Sequence, residues 1–100
     1  MALGIRVTSD ARKQIREAND WWDKNCPSAP HLVRLELERA FLLISSQPRI
    51  GSPALDSGLE QVRRIHLYRI GYHLYYQSTA ASSVQVLGLW HSSRGAIPQL

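Results

Sequence analysis

The apolar residues change their period once along this chain, near residue 50, and that change limits the fold more than any other feature. Before it, Ala11, Ile15, Ala18 and Trp22 recur at i, i+4, i+7 and i+11, and Val33, Leu37, Ala40, Phe41 and Ile44 repeat the spacing. Each set lines one face of a helix. After it come three short runs, Val62–Leu67, Gly71–Ser78 and Val84–His91, rich in valine, leucine and tyrosine and joined by the short links "YRI" and "TAASS". Such links favour antiparallel neighbours. A pair of helices followed by a meander of strands is an α+β arrangement, with the helices on one face of the sheet and the other face open.

The boundaries follow from local chemistry. Residues 3–8, "LGIRVT", form a short N-terminal strand, and Ser9 stands where it can cap the first helix, with Asp10 in its first turn. That helix ends near Asn25, "CPSAP" breaks the chain, and Ser28 and Pro30 suit the start of a second helix running to about Ser46. Together they form an αα-hairpin. "PRIGSPALDSG", residues 48–58, reads as loop, and the tail "SSRGAIPQL" has no clear period. No repeat divides the chain, and 1–100 is expected to be a single domain.

Several chemistries can be set aside. No apolar run approaches the ~20 residues of a membrane span, and "MALGIRVTSDARK" lacks the pattern of a secretory signal. Cys26 is the lone cysteine, so it can make no internal disulfide and supplies no metal-site spacing. No Gly-x-Ser-x-Gly elbow, HExxH or phosphate loop is present. A reducing cytoplasm, without metal or cofactor, is the expectation.

The charge is more informative. Residues 1–60 hold eight Lys/Arg and eight Asp/Glu, while residues 61–100 hold Arg63, Arg64, Arg69, Arg94 and three histidines with no acid at all. The net charge of +4 therefore lies wholly in the strand region. A one-signed field of this kind attracts nucleic acid or an acidic protein. Strand alternation places Arg64 and His66 with Val62, and Arg63 with Ile65 and Leu67. It likewise sets His73 and Tyr75 opposite Tyr72, Leu74 and Tyr76, and Leu87, Leu89 and His91 opposite Val84, Val86, Gly88 and Trp90. The last strand is apolar on both faces, which suits a central strand whose second face is covered by the tail or a partner. Basic residues, imidazoles and tyrosines on neighbouring strands could hold a phosphate chain or an acidic peptide. Composition leaves both open.

Over nearly its whole length the chain resembles the RelE/ParE superfamily, the toxin halves of bacterial type II toxin–antitoxin modules. "VRRIHL", "YHLYYQ" and "VQVLGLWHSSRG" are similar to the last three strands of that family, and "WWDKNCPSAP" and "QPRIG" sit at its helix-hairpin turn and post-helix loop. The resemblance implies a toxin held inactive, in a hetero-oligomeric complex, by an acidic antitoxin that covers the exposed sheet. Trp21, Leu87 and Leu89 are then the candidate antitoxin contacts, and Arg63, Arg64, Arg69, Tyr75 and Arg94 the candidate target or nucleic-acid contacts. RelE-like members cut mRNA in the ribosomal A site, and under that reading His66, His73 and His91 are the catalytic candidates. Arg64 and His66 fall near the family's basic pair, His73 where RelE proper has an arginine, and Arg94 near its C-terminal arginine. The chain departs from RelE in having no lysine beyond Lys24 and no C-terminal tyrosine. ParE-like members instead poison DNA gyrase and need no catalytic constellation, and the strand sequences are closer to that branch. A third expectation is an inactive nucleic-acid-binding or assembly domain.

Overall fold

A computed structural model of the chain describes residues 4–29, 31–54, 61–79 and 83–91. The element order is β1 (Gly4–Val7), α1 (Ser9–Asn25), α2 (Leu32–Ser46), β2 (Ser52–Pro53), β3 (Val62–Leu67), β4 (Tyr72–Thr79) and β5 (Ser83–His91). The expected α+β fold is present, with the helical hairpin packed on one face of a five-stranded sheet of order β1-β5-β4-β3-β2. The meander β3–β4–β5 is antiparallel, as its short links imply, and β1 returns to pair in parallel with β5. The sheet is therefore mixed, and β5 lies inside it with a neighbour on either side.

Thr8 is the joint between β1 and α1. Its N–H donates to the Val86 carbonyl at 3.1 Å, continuing the β1–β5 pairing, and its Oγ1 accepts from Ala11 N–H at 3.1 Å. Thr8, not Ser9, is thus the helix cap: the cap must still be extended, and Thr8 is the last residue with strand geometry. The second helix also starts later than its sequence signals suggest. It begins at Leu32, after His31 turns the chain with a left-handed φ of 63°, so Ser28 lies in the inter-helix turn and Pro30 outside the described residues.

The helices meet the sheet through small and branched side chains. Ala11 and Ala18 of α1, and Val33, Leu37, Ala40 and Ile44 of α2, pack on Leu67, Leu74, Tyr76, Val84, Val86 and Leu89, with Trp22 closing the margin. Alanine on the inner face lets a helix approach the sheet closely, which the seamless burial of Tyr76 and Leu74 reflects.

Two corrections concern the strands. Ser52 and Pro53, within the stretch read as loop, pair with Arg64 and Arg63 and form the edge strand β2. Two residues are too few to show a period, and proline is tolerated at an edge. More consequential is a β-bulge in β5. Tyr75 pairs with Gly88 but Tyr76 pairs with Val86, so Leu87 is the extra residue. Strict alternation grouped Leu87 with Leu89 and His91, opposite Val84 and Val86. The bulge restarts the alternation, so Val84, Val86 and Leu89 all face the helices, while Leu87 joins Trp90 on the other side.

Candidate target-binding face

Away from the helices, β3, β4 and β5 present one connected face. The register sets Arg64 opposite Tyr75, His66 opposite His73, and His73 opposite Trp90. At its base Tyr75, Val62, Ala54, Leu87 and Trp90 form a second, smaller apolar cluster. Tyr75 is only 3% exposed there, so it serves as the floor of the face and presents little surface to a target. The part of the sheet expected to be open is therefore partly closed by its own side chains.

Above that floor lies a row of rings. The His66 and His73 imidazoles are 4.6 Å apart between centroids and tilted by 30°, Tyr68 packs on His66 at 4.1 Å, and Tyr75 approaches His73 edge-on at 6.4 Å. Among the described residues His66 Nε2 and His73 Nδ1 are buried without a hydrogen-bond partner. The His73 imidazole is held below the usual histidine range, chiefly by burial, then by His66 and by the Arg64 guanidinium. It is consequently a neutral ring at neutral pH, able to accept or donate a hydrogen bond. Arg64 supplies the fixed positive charge of this face.

The other sequence candidates go elsewhere. Arg63, next to Arg64, points to the opposite side. Its guanidinium donates to the carbonyl of Gly51 at 2.7 Å and of Arg49 at 3.3 Å. It fastens the loop after α2 to the sheet. Gly51 in turn donates its N–H to the Tyr76 hydroxyl at 2.8 Å. The Tyr76 phenol is pushed above its ordinary value by burial, an effect opposed by that Gly51 bond and by Arg63. Sequence reading had no means of finding this clasp, because its partners are 12 and 25 residues apart. Arg69 sits in the β3–β4 turn and approaches Glu36 of α2 at 3.9 Å, with most of its side chain in solvent.

His91 does not join His66 and His73. It pairs with Tyr72, on the helix side of the sheet, and packs its ring edge-on against that tyrosine at 5.0 Å. Leu89 is 3% exposed within the main core, leaving Leu87 and the half-exposed Trp21 as the reachable members of the expected antitoxin set. Arg94 lies outside the described residues. Sequence reading missed Trp90 and Tyr68 as members of the face. Trp90 could have been found from the strand register, whereas Tyr68 lies beyond the end of β3, where alternation no longer applies.

A family model for the ParE toxin of the type II toxin–antitoxin system parDE matches residues 5–95. The chain belongs to the ParE toxin family. The type II toxin–antitoxin assignment and the fold expected from the strand and helix sequences are thereby established for this family member. Solved structures agree on the architecture. The RelBE toxin–antitoxin complex of E. coli aligns with a TM-score of 0.68 at 22% identity, covering 93% of this chain and 100% of that one. The chromosomal ParDE system of P. aeruginosa aligns at 0.69 and 14% identity, covering 90% and 96%. A RelBE toxin–antitoxin complex from Mycobacterium tuberculosis aligns at 0.63 and 25% identity, covering 91% and 99%. No curated protein sequence matches this ParE-family chain. No helix among its described residues is long and apolar enough to cross a membrane.

Proposed function

We propose that this ParE-family toxin arrests growth by binding DNA gyrase, and that an acidic antitoxin neutralises it by covering the Arg64–His66–His73 face. The observation that carries the binding reading is the division of the histidines between the two sides of the sheet. His66 and His73 stack together beside Arg64, while His91 packs against Tyr72 on the helix side. A three-histidine cleavage centre would need them on one side. A positively charged face with an apolar floor instead suits protein or protein–DNA contact, where attraction sets the encounter and burial holds the complex.

A second reading rests on the His66–His73 pair itself. Two imidazoles, one kept neutral, beside a guanidinium are the groups that RNA cleavage uses to move protons around a phosphate. This is the RelE-like ribosome-dependent endoribonuclease reading.

One experiment separates them: labelled amino-acid incorporation in the first minutes after the chain is induced alone in bacteria, alongside supercoiling by purified gyrase. The gyrase reading expects protein synthesis to continue, filaments and a DNA-damage response to follow, and supercoiling to fall. An immediate stop in incorporation with normal supercoiling would replace it with mRNA cleavage. Undiminished growth with the protein present would leave only the inactive-domain reading.

A further inference from the structure

On the helix side of the sheet, remote from the Arg64 face, α1 and the ends of β4 and β5 enclose a pocket of about 190 Å³ lined by Gln14, Glu17, Ala18, Trp21, Tyr72 and Leu89. It is smaller than the roughly 300 Å³ at which clefts for small-molecule ligands begin. Its size fits one polar side chain. The walls are fixed in place: Gln14 Oε1 accepts from the Leu89 N–H at 2.8 Å, and the Trp21 indole is braced edge-on by Trp22 at 5.9 Å. Asn25 Nδ2 donates to the Trp21 carbonyl at 2.8 Å and holds that turn of the helix. Trp21 nevertheless leaves 52% of its surface in solvent, unusual for so large an aromatic.

The chemistry of the lining selects a cation. Two aromatic side chains, Trp21 and Tyr72, line it, with the His91 ring edge-on against Tyr72 at 5.0 Å, and tryptophan is the strongest of the aromatic partners for a positive charge. Glu17 adds a carboxylate that forms no ion pair among the described residues, where the salt bridges join Arg34 to Glu38 and both Arg39 and Arg69 to Glu36. A planar guanidinium can lie on an indole and donate two parallel N–H groups to a carboxylate, which a lysine ammonium cannot. An anion would meet the Glu17 carboxylate.

We propose that the Glu17–Trp21–Tyr72 pocket receives an arginine side chain of a partner polypeptide, and that the partner is the antitoxin. Only the second clause rests on the toxin–antitoxin reading; the pocket's preference for a guanidinium stands without it. An arginine anchored here would hold the partner on the helix side while the rest of it reaches the basic face, which fixes its register on the toxin. The mostly acidic partner would then be positioned by one basic residue.

The test titrates N-acetyl-arginine methylamide into the full chain and follows the Trp21 indole N–H by NMR, assigned by its loss in Trp21→Phe. N-acetyl-citrulline methylamide, neutral and of the same shape, is the control. The expected result is a saturating shift with the arginine probe, none with the citrulline probe, and binding about tenfold weaker in Glu17→Gln. No saturating shift, equal shifts with both probes, or unchanged binding in Glu17→Gln would overturn the pocket assignment. In cells, Glu17→Lys is expected to arrest growth even when the antitoxin is co-expressed. Full neutralisation of that variant would overturn the antitoxin as the source of the arginine. Growth arrest by the unaltered chain alone tests the toxin reading separately, so either inference can fail without the other.

Discussion

His66 and His73 stand directly opposite one another across β3 and β4, with their imidazole centroids 4.6 Å apart and Arg64 on the same face. Burial, His66 and Arg64 each disfavour a positive charge on His73. The pairing is also the place where the function and the stability of this chain meet, because the same rings form the centre of the proposed working face.

That relationship sets a pH dependence. The folded His73 pKa lies below its unfolded value of 6.5, through burial first and then through His66 and Arg64. The unfolded chain therefore binds more protons in the interval between the two values, and stability rises with pH across it. The contribution is fully present above pH 6.5 and is lost as pH falls towards the folded value. Urea unfolding measured from pH 7.5 downwards is expected to show this loss, and His73→Phe to flatten it. An equal slope in the variant would assign the loss to other groups.

Adjacent arginines are expected to separate stability from function. Removing the Arg63 guanidinium leaves the carbonyls of Gly51 and Arg49 without their donor, so Arg63→Ala should cost about 1–3 kcal/mol in denaturant unfolding. Arg64 lies on the other face, and Arg64→Ala should stay within about 0.5 kcal/mol of the unaltered chain while weakening growth arrest on induction. The reverse pattern would show that the two faces have been assigned the wrong way round.

The Gly51–Tyr76 contact leaves no room for a side chain. A Cβ at Gly51 would lie 2.7 Å from both the Arg64 carbonyl oxygen and the Tyr76 hydroxyl, and the Arg64 atom is backbone. Gly51→Ala is expected to lower stability by about 1–3 kcal/mol. Tyr76→Phe keeps the ring but strands the buried Gly51 N–H, for a loss of similar order. Thermal unfolding of both variants checks this, and a neutral Gly51→Ala would mean that the loop does not rest on β3 as described.

The cap of α1 can be tested at neighbouring positions. Thr8→Ala removes the acceptor for Ala11 N–H and should cost about 1 kcal/mol. Ser9→Ala, inside the first turn, should change little. If Ser9→Ala were the more costly of the two, the helix would begin one residue later than it does here.

Much of this molecule was legible before any coordinates. Helix faces at Ala11–Trp22 and Val33–Ile44 follow from a 3.6-residue period that continues for several turns, and three strands follow from short runs rich in valine, leucine and tyrosine joined by short links. Arg64, His66 and His73 share one face because β3 and β4 keep unbroken alternation between them. Legibility stopped where alternation was broken or where the partner was distant. One bulged residue, Leu87, moved Leu89 and His91 to the side of Val84 and Val86, which strict alternation had set opposite them. Arg63 was a candidate target contact in the sequence because its acceptors, the carbonyls of Gly51 and Arg49, are 12 and 14 residues away.

By itself, then, the sequence determined the order of elements, the inward stripes of both helices and the concentration of positive charge in the strand region, because each depends on residues close together in the chain. Only the tertiary structure decided which arginine shares a face with His66 and His73 and which one clasps the loop after α2, why His91 parts company with those histidines, and that Glu17, Trp21 and Tyr72 line one pocket. Those outcomes depend on strand register, one bulge and contacts between groups far apart in sequence, where a shift of a single residue sends a side chain to the other face of the sheet.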